Sequence, residues 1–277
     1  MSKGGLQLLC GRRHGLTGLR GVVAGLALCA GLVAAARAEE AAGSVFGRTE
    51  RGTAALVGIF YDLKQTQQRE PVPGNGKDYA AFVDEFLVSG LDEAKFNRFF
   101  RAGLPLYTTQ IATGRMNAEA APKAFGVEEV VKPRAWVVHY KGQVAPPSDG
   151  AYRFVGAADD MMVVAINRRV VLVGNLPSTV FPRLGWKQTE GGPKVAANSG
   201  AKYGDWIELK ASQPVDIDIL IGERPGGIFN ALLLYEKKGE AYPRLKGEIV
   251  LPLFQVAPYP MTETRYLTDR TPWKCFD

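Results

Sequence analysis

The chain has 277 residues, 34 of them basic and 28 acidic, for a formal charge of +6 with two histidines and three cysteines. Five of the basic residues (Lys3, Arg12, Arg13, Arg20, Arg37) and no acidic residue fall in residues 1–38, so the rest of the chain carries +1. A near-neutral body argues against nucleic acid or an anionic membrane as partner.

Residues 1–38 have a basic head, an uncharged apolar run over 21–36 and the small-x-small exit Ala36-Arg37-Ala38. That pattern predicts a cleaved secretory signal and an exported protein, periplasmic, cell-surface or extracellular, with no stable membrane insertion after cleavage. Leu28 before Cys29 does not fit a lipidation signal. Cleavage removes Cys10 and Cys29, leaving Cys275 as either a buried or frayed tail thiol or a site for pairing with another chain. His139 becomes the sole histidine.

Residues 39–51 read as a linker. Leu56-Val57-Gly58-Ile59-Phe60-Tyr61 is a short β-branched and aromatic run, a predicted strand, and Pro71 to Gly76 is punctuated as a loop. Over 78–102, Phe82, Val83, Phe86 and Leu87, then Phe96, Phe99 and Phe100, recur at helical spacing. Two short amphipathic helices are predicted, the first capped by Asp78. Asp84, Glu85, Asp92 and Glu93 would form their solvated face.

From Arg134 strands dominate: 135–142, 151–157, then Met161–Ile166 and Arg169–Val173 joined by a tight turn at Asn167-Arg168. Asp205 to Leu209 alternates, and Val215, Ile217, Ile219 and Ile221 alternate with Asp216 and Asp218, predicting a strand with one solvated face. Phe229 to Tyr235 is the last long strand. Many short strands with turns between them predict a mainly β, antiparallel sandwich with a short helical insertion. Prolines break up 239–277, a predicted C-terminal extension.

Catalytic signals are sparse. A lone strand histidine has no nucleophile motif beside it, one His and one Cys make no zinc cluster, and the glycine pairs at 191–192 and 226–227 lack the lysine and helix of a phosphate loop. No carboxylate pair stands out as an acid and base. The expectation is a binding module, not an enzyme.

The stretch Trp136 to Asn175 carries a family resemblance. An aromatic strand ends at Gly142, Val144-Ala145-Pro146-Pro147 follows, then Gly150-Ala151-Tyr152-Arg153-Phe154, then Ala157-Ala158-Asp159-Asp160 and the hairpin 163–173. Together with 56–61, 206–209, 215–221 and 228–235, this resembles the PA-fourteen domain, the jelly-roll-like β-sandwich of protective antigen, flocculins, adhesins and glycosidase inserts. The resemblance covers about 52–238, with 78–102 as an insertion. It implies a paired aspartate at one end of the sandwich, here Asp159 and Asp160, joined by a cis peptide and binding calcium that helps hold sugar hydroxyls. A second loop, 222–227, would add Glu223 as a ligand and place Arg224 beside the bound glycan. Glu223 stands near where the sugar-binding members carry asparagine. The alternative is a metal-free structural or protein-interaction domain at the cell envelope, with the tail 242–277 contacting its partner.

Overall fold

The computed structural model describes residues 43–74 and 76–276; the predicted signal peptide lies outside them. The strands are β1 (Leu56–Asp62), β2 (Phe100–Arg101), β3 (Leu106–Thr108), β4 (Met116–Asn117), β5 (Trp136–Ala145), β6 (Gly150–Asp159), β7 (Met161–Ile166), β8 (Arg169–Val173), β9 (Lys202–Tyr203), β10 (Ile207–Leu209), β11 (Val215–Glu223), β12 (Ile228–Lys237), β13 (Arg244–Leu245), β14 (Glu248–Ile249) and β15 (Lys274–Phe276). Helix α1 spans Tyr79–Val88 and α2 spans Ala120–Ala124. One sheet has the order β2-β1-β5-β11-β7-β8, with β15 on β5 and β3 on β1; the other has the order β10-β6-β12-β4, with β9 on β6. Pairing between these strands is antiparallel, and the two sheets form a β-sandwich with short helices inserted. No helix among the described residues is long and apolar enough to cross a membrane.

Three apolar layers follow from which face each side chain takes. Trp136, Val138, Tyr140, Phe154, Ile219, Ile221 and Leu233 fill the space between the sheets. On the far side of the larger sheet, Val83, Phe86, Leu87 and Phe96 pack on Ile59, Tyr61, Val137, Val163 and Leu220. The smaller sheet's outer face is covered by Ile249, Leu251, Leu253 and Tyr266, packed on Val155 and Leu234. Residues on both sides of 52–238 thus belong to the core: Phe46 stacks on Phe229, and Trp273 is 1% exposed. Cys275 is half-buried in β15, paired with Val144, its thiol 3.6 Å from the Ala55 carbonyl.

The two-faced burial of the larger sheet corrects the expectation for β11. It alternates only as far as Asp218 and is buried continuously from Ile219 to Glu223, because α1 covers the face predicted to be solvated. The same cover explains why all six residues of β7 are buried. A strand with both faces covered has no reason to alternate.

The helical segment needs three corrections. The second helix is a single 3-10 turn, Glu93–Phe96, capped by the Asp92 side chain on the Ala94 N–H, and the chain then turns into β2. Asp78 makes no side-chain cap on α1. Asp84 is buried, not solvated, and accepts hydrogen bonds from the Arg183 and Leu184 N–H groups, both at 2.8 Å. Helix α1 stops where Gly90 takes φ +75° and the Leu91 N–H returns to the Phe86 carbonyl, a glycine C-terminal cap. The β7–β8 turn has both Asn167 and Arg168 at positive φ, as a type I′ hairpin requires.

Candidate metal centre

Strands β6, β7 and β11 bring three carboxylates to one end of the sandwich. Asp159 closes β6 opposite Asn230 of β12, and Asp160 sits in the step into β7. β11 runs beside β7 with Gly222 opposite Met161, which delivers Glu223 to the same place. One oxygen from each of Asp159, Asp160 and Glu223 lies within 4.8 Å of the others. The Asp159–Asp160 peptide is cis.

Backbone donors hold the trio. The Asp160 N–H donates to the Gly222 carbonyl at 3.1 Å, and the Leu176 N–H donates to the Asp160 carbonyl at 2.9 Å. Asp160 Oδ2 accepts the Arg224 N–H at 2.9 Å, and Glu223 Oε1 accepts the Gly226 N–H at 2.8 Å. Gly226 takes φ +90°, and a Cβ there would meet the Pro133 carbonyl at 3.0 Å, so the turn that aims this N–H at Glu223 needs glycine. Glu223 is 1% exposed, and its Oε2 is buried without a hydrogen bond. Arg224 reaches the trio through its backbone; its guanidinium donates to the Ser178 carbonyl at 3.1 Å.

The electrostatics follow from this crowding. Burial, then the negative charge of Asp160, pushes the Glu223 carboxyl up to about 8, against the Gly226 N–H that favours its ionised form. Burial and Asp160 also raise Asp159, with Arg115 opposing. A hard divalent cation would supply positive charge to this cluster beyond that of Arg115. An all-oxygen donor set with an unsatisfied carboxylate oxygen suits calcium or magnesium, not zinc or copper.

Two supporting residues carried no sequence signal of their own. Asn175 Oδ1 accepts the Met162 N–H at 3.0 Å while its Nδ2 donates to the Thr179 carbonyl, tying the loop after β8 to the start of β7. Tyr79 of α1 is fully buried, with its hydroxyl donating to the Trp136 carbonyl at 3.3 Å, and the charges of Asp160 and Glu223 help raise it far above its ordinary value, after burial. A Cβ on Gly222 would lie 2.1 Å from the Tyr79 hydroxyl and 2.7 Å from the Trp136 carbonyl. Gly222→Ala is expected to cost about 1–3 kcal/mol through this overpacking, measured as a fall in the urea midpoint; an unchanged midpoint would show that the helix is free to move off the site. His139 belongs to a different environment: its Nε2 lies 2.7 Å from Asp218 Oδ1 and its ring meets Phe86 edge-on.

No protein-family profile matches the chain, and no curated protein matches it. Among solved structures, it is similar to a PA14 sugar-binding domain from an RTX adhesin, at 15% identity and TM-score 0.39, covering 69% of this chain and 94% of that one. It is similar to an anti-sigma factor domain-containing protein from Clostridium clariflavum at 14% identity and TM-score 0.41, covering 77% of this chain and 47% of that protein. A third similar structure is the Epithelial Adhesin 6 A domain from Candida glabrata in complex with Galb1-3GlcNAc, at 14% identity and TM-score 0.38, covering 70% of this chain and 84% of that one. What those proteins bind is a property of theirs.

Proposed function

We propose that this protein is an exported, non-catalytic binding module that holds a glycan of the cell envelope or surroundings through a calcium ion at Asp159, Asp160 and Glu223. The observation that carries this reading is the convergence of three carboxylates, with one buried oxygen left unsatisfied. Calcium takes six to eight oxygens. Three carboxylates leave coordination positions for carbonyls, water and the paired hydroxyls of a sugar. Arg224 bonds Asp160 through its backbone N–H, and in this reading its guanidinium meets the same ligand. Calcium supplies positive charge and exchangeable positions; the chain's own groups fix the carboxylates and exclude water from one side of them.

A metal-free reading, in which the trio only ties three loops together at an envelope docking domain, is favoured by the backbone donors that Asp160 and Glu223 already receive. Thermal unfolding separates the two. At about 100 times its dissociation constant, calcium adds ~2.7 kcal/mol, a rise of roughly 5–10 °C for a chain of this size. Asp159→Asn/Asp160→Asn should abolish the rise, and glycan-array binding should disappear with a chelator. An unchanged melting temperature in the wild-type protein would overturn the calcium reading in favour of the metal-free one.

A further inference from the structure

Beside the carboxylate trio lies a crevice of about 320 Å³ lined by Gly76, Lys77, Arg134, Ala135, Arg224 and Pro225. Three of these six residues are cationic and none is acidic. Arg224 and Pro225 of the crevice directly follow Glu223 of the trio. Arg224 follows Glu223, its N–H is bonded to Asp160 Oδ2, and its carbonyl accepts the Ala135 N–H at 3.1 Å. Along β11, Ile219 and Ile221 face the sandwich interior while Leu220 faces the helical layer. Continued to the strand end, this alternation sends Glu223 inward and Arg224 to the helical side, where Gly76 and Lys77 lead into α1.

We propose that the glycan held at the trio is acidic, and that the carboxylate of a sugar unit next to the one at the cation docks in the crevice on Lys77, Arg134 and Arg224. This rests on the calcium-glycan reading above. A guanidinium meets a carboxylate in a planar, two-bond geometry that an ammonium cannot reproduce. The Arg224 guanidinium is held in place by the Ser178 carbonyl, which uses one of its five N–H donors. Lys64, buried behind the crevice wall, is held below its ordinary value by burial, with Asp62 opposing and Arg134 and Lys132 adding smaller effects. Lys64 and Asp62 pair at 2.5 Å and largely cancel, so the field at the crevice comes from Lys77, Arg134 and Arg224. An acidic ligand gains from this field, and a neutral one of the same shape does not. Without the cation, the same ligand faces the negative trio, so its binding is coupled to calcium.

The test is calorimetric titration of the protein with digalacturonate and with its dimethyl ester, in calcium and in chelator, repeated on Lys77→Glu/Arg134→Glu. One or two charge-assisted hydrogen bonds at a partly exposed site correspond to roughly tenfold in affinity. The acid is expected to bind about tenfold tighter than the ester in calcium. The variant should erase that difference while keeping the calcium-induced rise in melting temperature. Equal affinity for acid and ester in the wild-type protein, or a preference that survives in the variant, would overturn the proposal. Loss of the calcium rise in the wild-type protein overturns the cation reading instead. In that case an acid preference that the variant removes still supports the crevice, and no preference overturns it.

Discussion

Trp273→Ala lowers the unfolding free energy by about 3–5 kcal/mol, read as a fall in the urea midpoint followed by circular dichroism. Trp273 is 1% exposed although it comes from the end of the chain. Its ring lies 5.3–5.6 Å from those of Tyr152, Phe154, Tyr235 and Phe254. Its backbone N–H donates to the Gln255 carbonyl at 2.8 Å, and the Gln255 side-chain amide in turn donates to the carbonyls of Thr268 and Arg270. The next residues pair as β15 with β5 across Val144. Truncation therefore leaves a cavity walled by rigid aromatic rings, a site that collapses poorly. Trp273→Phe should recover at least half of the loss. A cost of under about 1 kcal/mol would instead make the segment a peripheral arm. The outcome bears on function: if the large loss is found, a partner that disappears when the tail is deleted reports unfolding, not a docking tail.

The parts of the fold that could be read from the sequence are those set by local chemistry. The strands 161–166 and 169–173 have the bounds predicted, because an apolar run and a turn residue suited to positive φ determine each other. Phe96, Phe99 and Phe100 misled because their spacing also fits a 3-10 turn followed by a strand. Phe99 packs under the helical layer and Phe100 packs inside the sandwich, opposite faces for adjacent residues, as in a strand. Helical spacing puts Asp84 on a polar face, but a loop from 183–184, distant in sequence, lays two N–H groups on it; no local pattern carries that information. The sequence points to the aspartate pair only through a resemblance, and Glu223 is the last residue of β11. What joined them is the register between β7 and β11. The basic crevice was invisible, because Lys77, Arg134 and Arg224 come from three separate segments and meet only in the fold.

Without calcium, stability should fall as pH rises from about 4.5 to about 8 and level off above that. The sign follows from Glu223. Its carboxyl in the folded protein is pushed up to about 8 from the ordinary 4.5, so between these limits the folded state holds a proton that the unfolded chain has released. Stability then decreases with pH by up to about 1.4 kcal/mol per unit. The raised Asp159 adds in the same direction. Glu223→Gln, which keeps the shape and cannot ionise, should flatten the profile of urea midpoints measured in chelator at pH 5, 6.5 and 8. Calcium reverses the balance, because the ion takes the place of the proton. Its affinity should rise about tenfold per pH unit up to about 8, and binding should release close to one proton, seen as a buffer-dependent heat in calorimetry. A flat profile in chelator, together with calcium binding that releases no proton, would show that Glu223 is ionised without the metal and that its buried oxygen is satisfied in some other way. A fall in stability that Glu223→Gln removes, with proton release on calcium addition, would place the ion at Glu223 by a route independent of the aspartate pair.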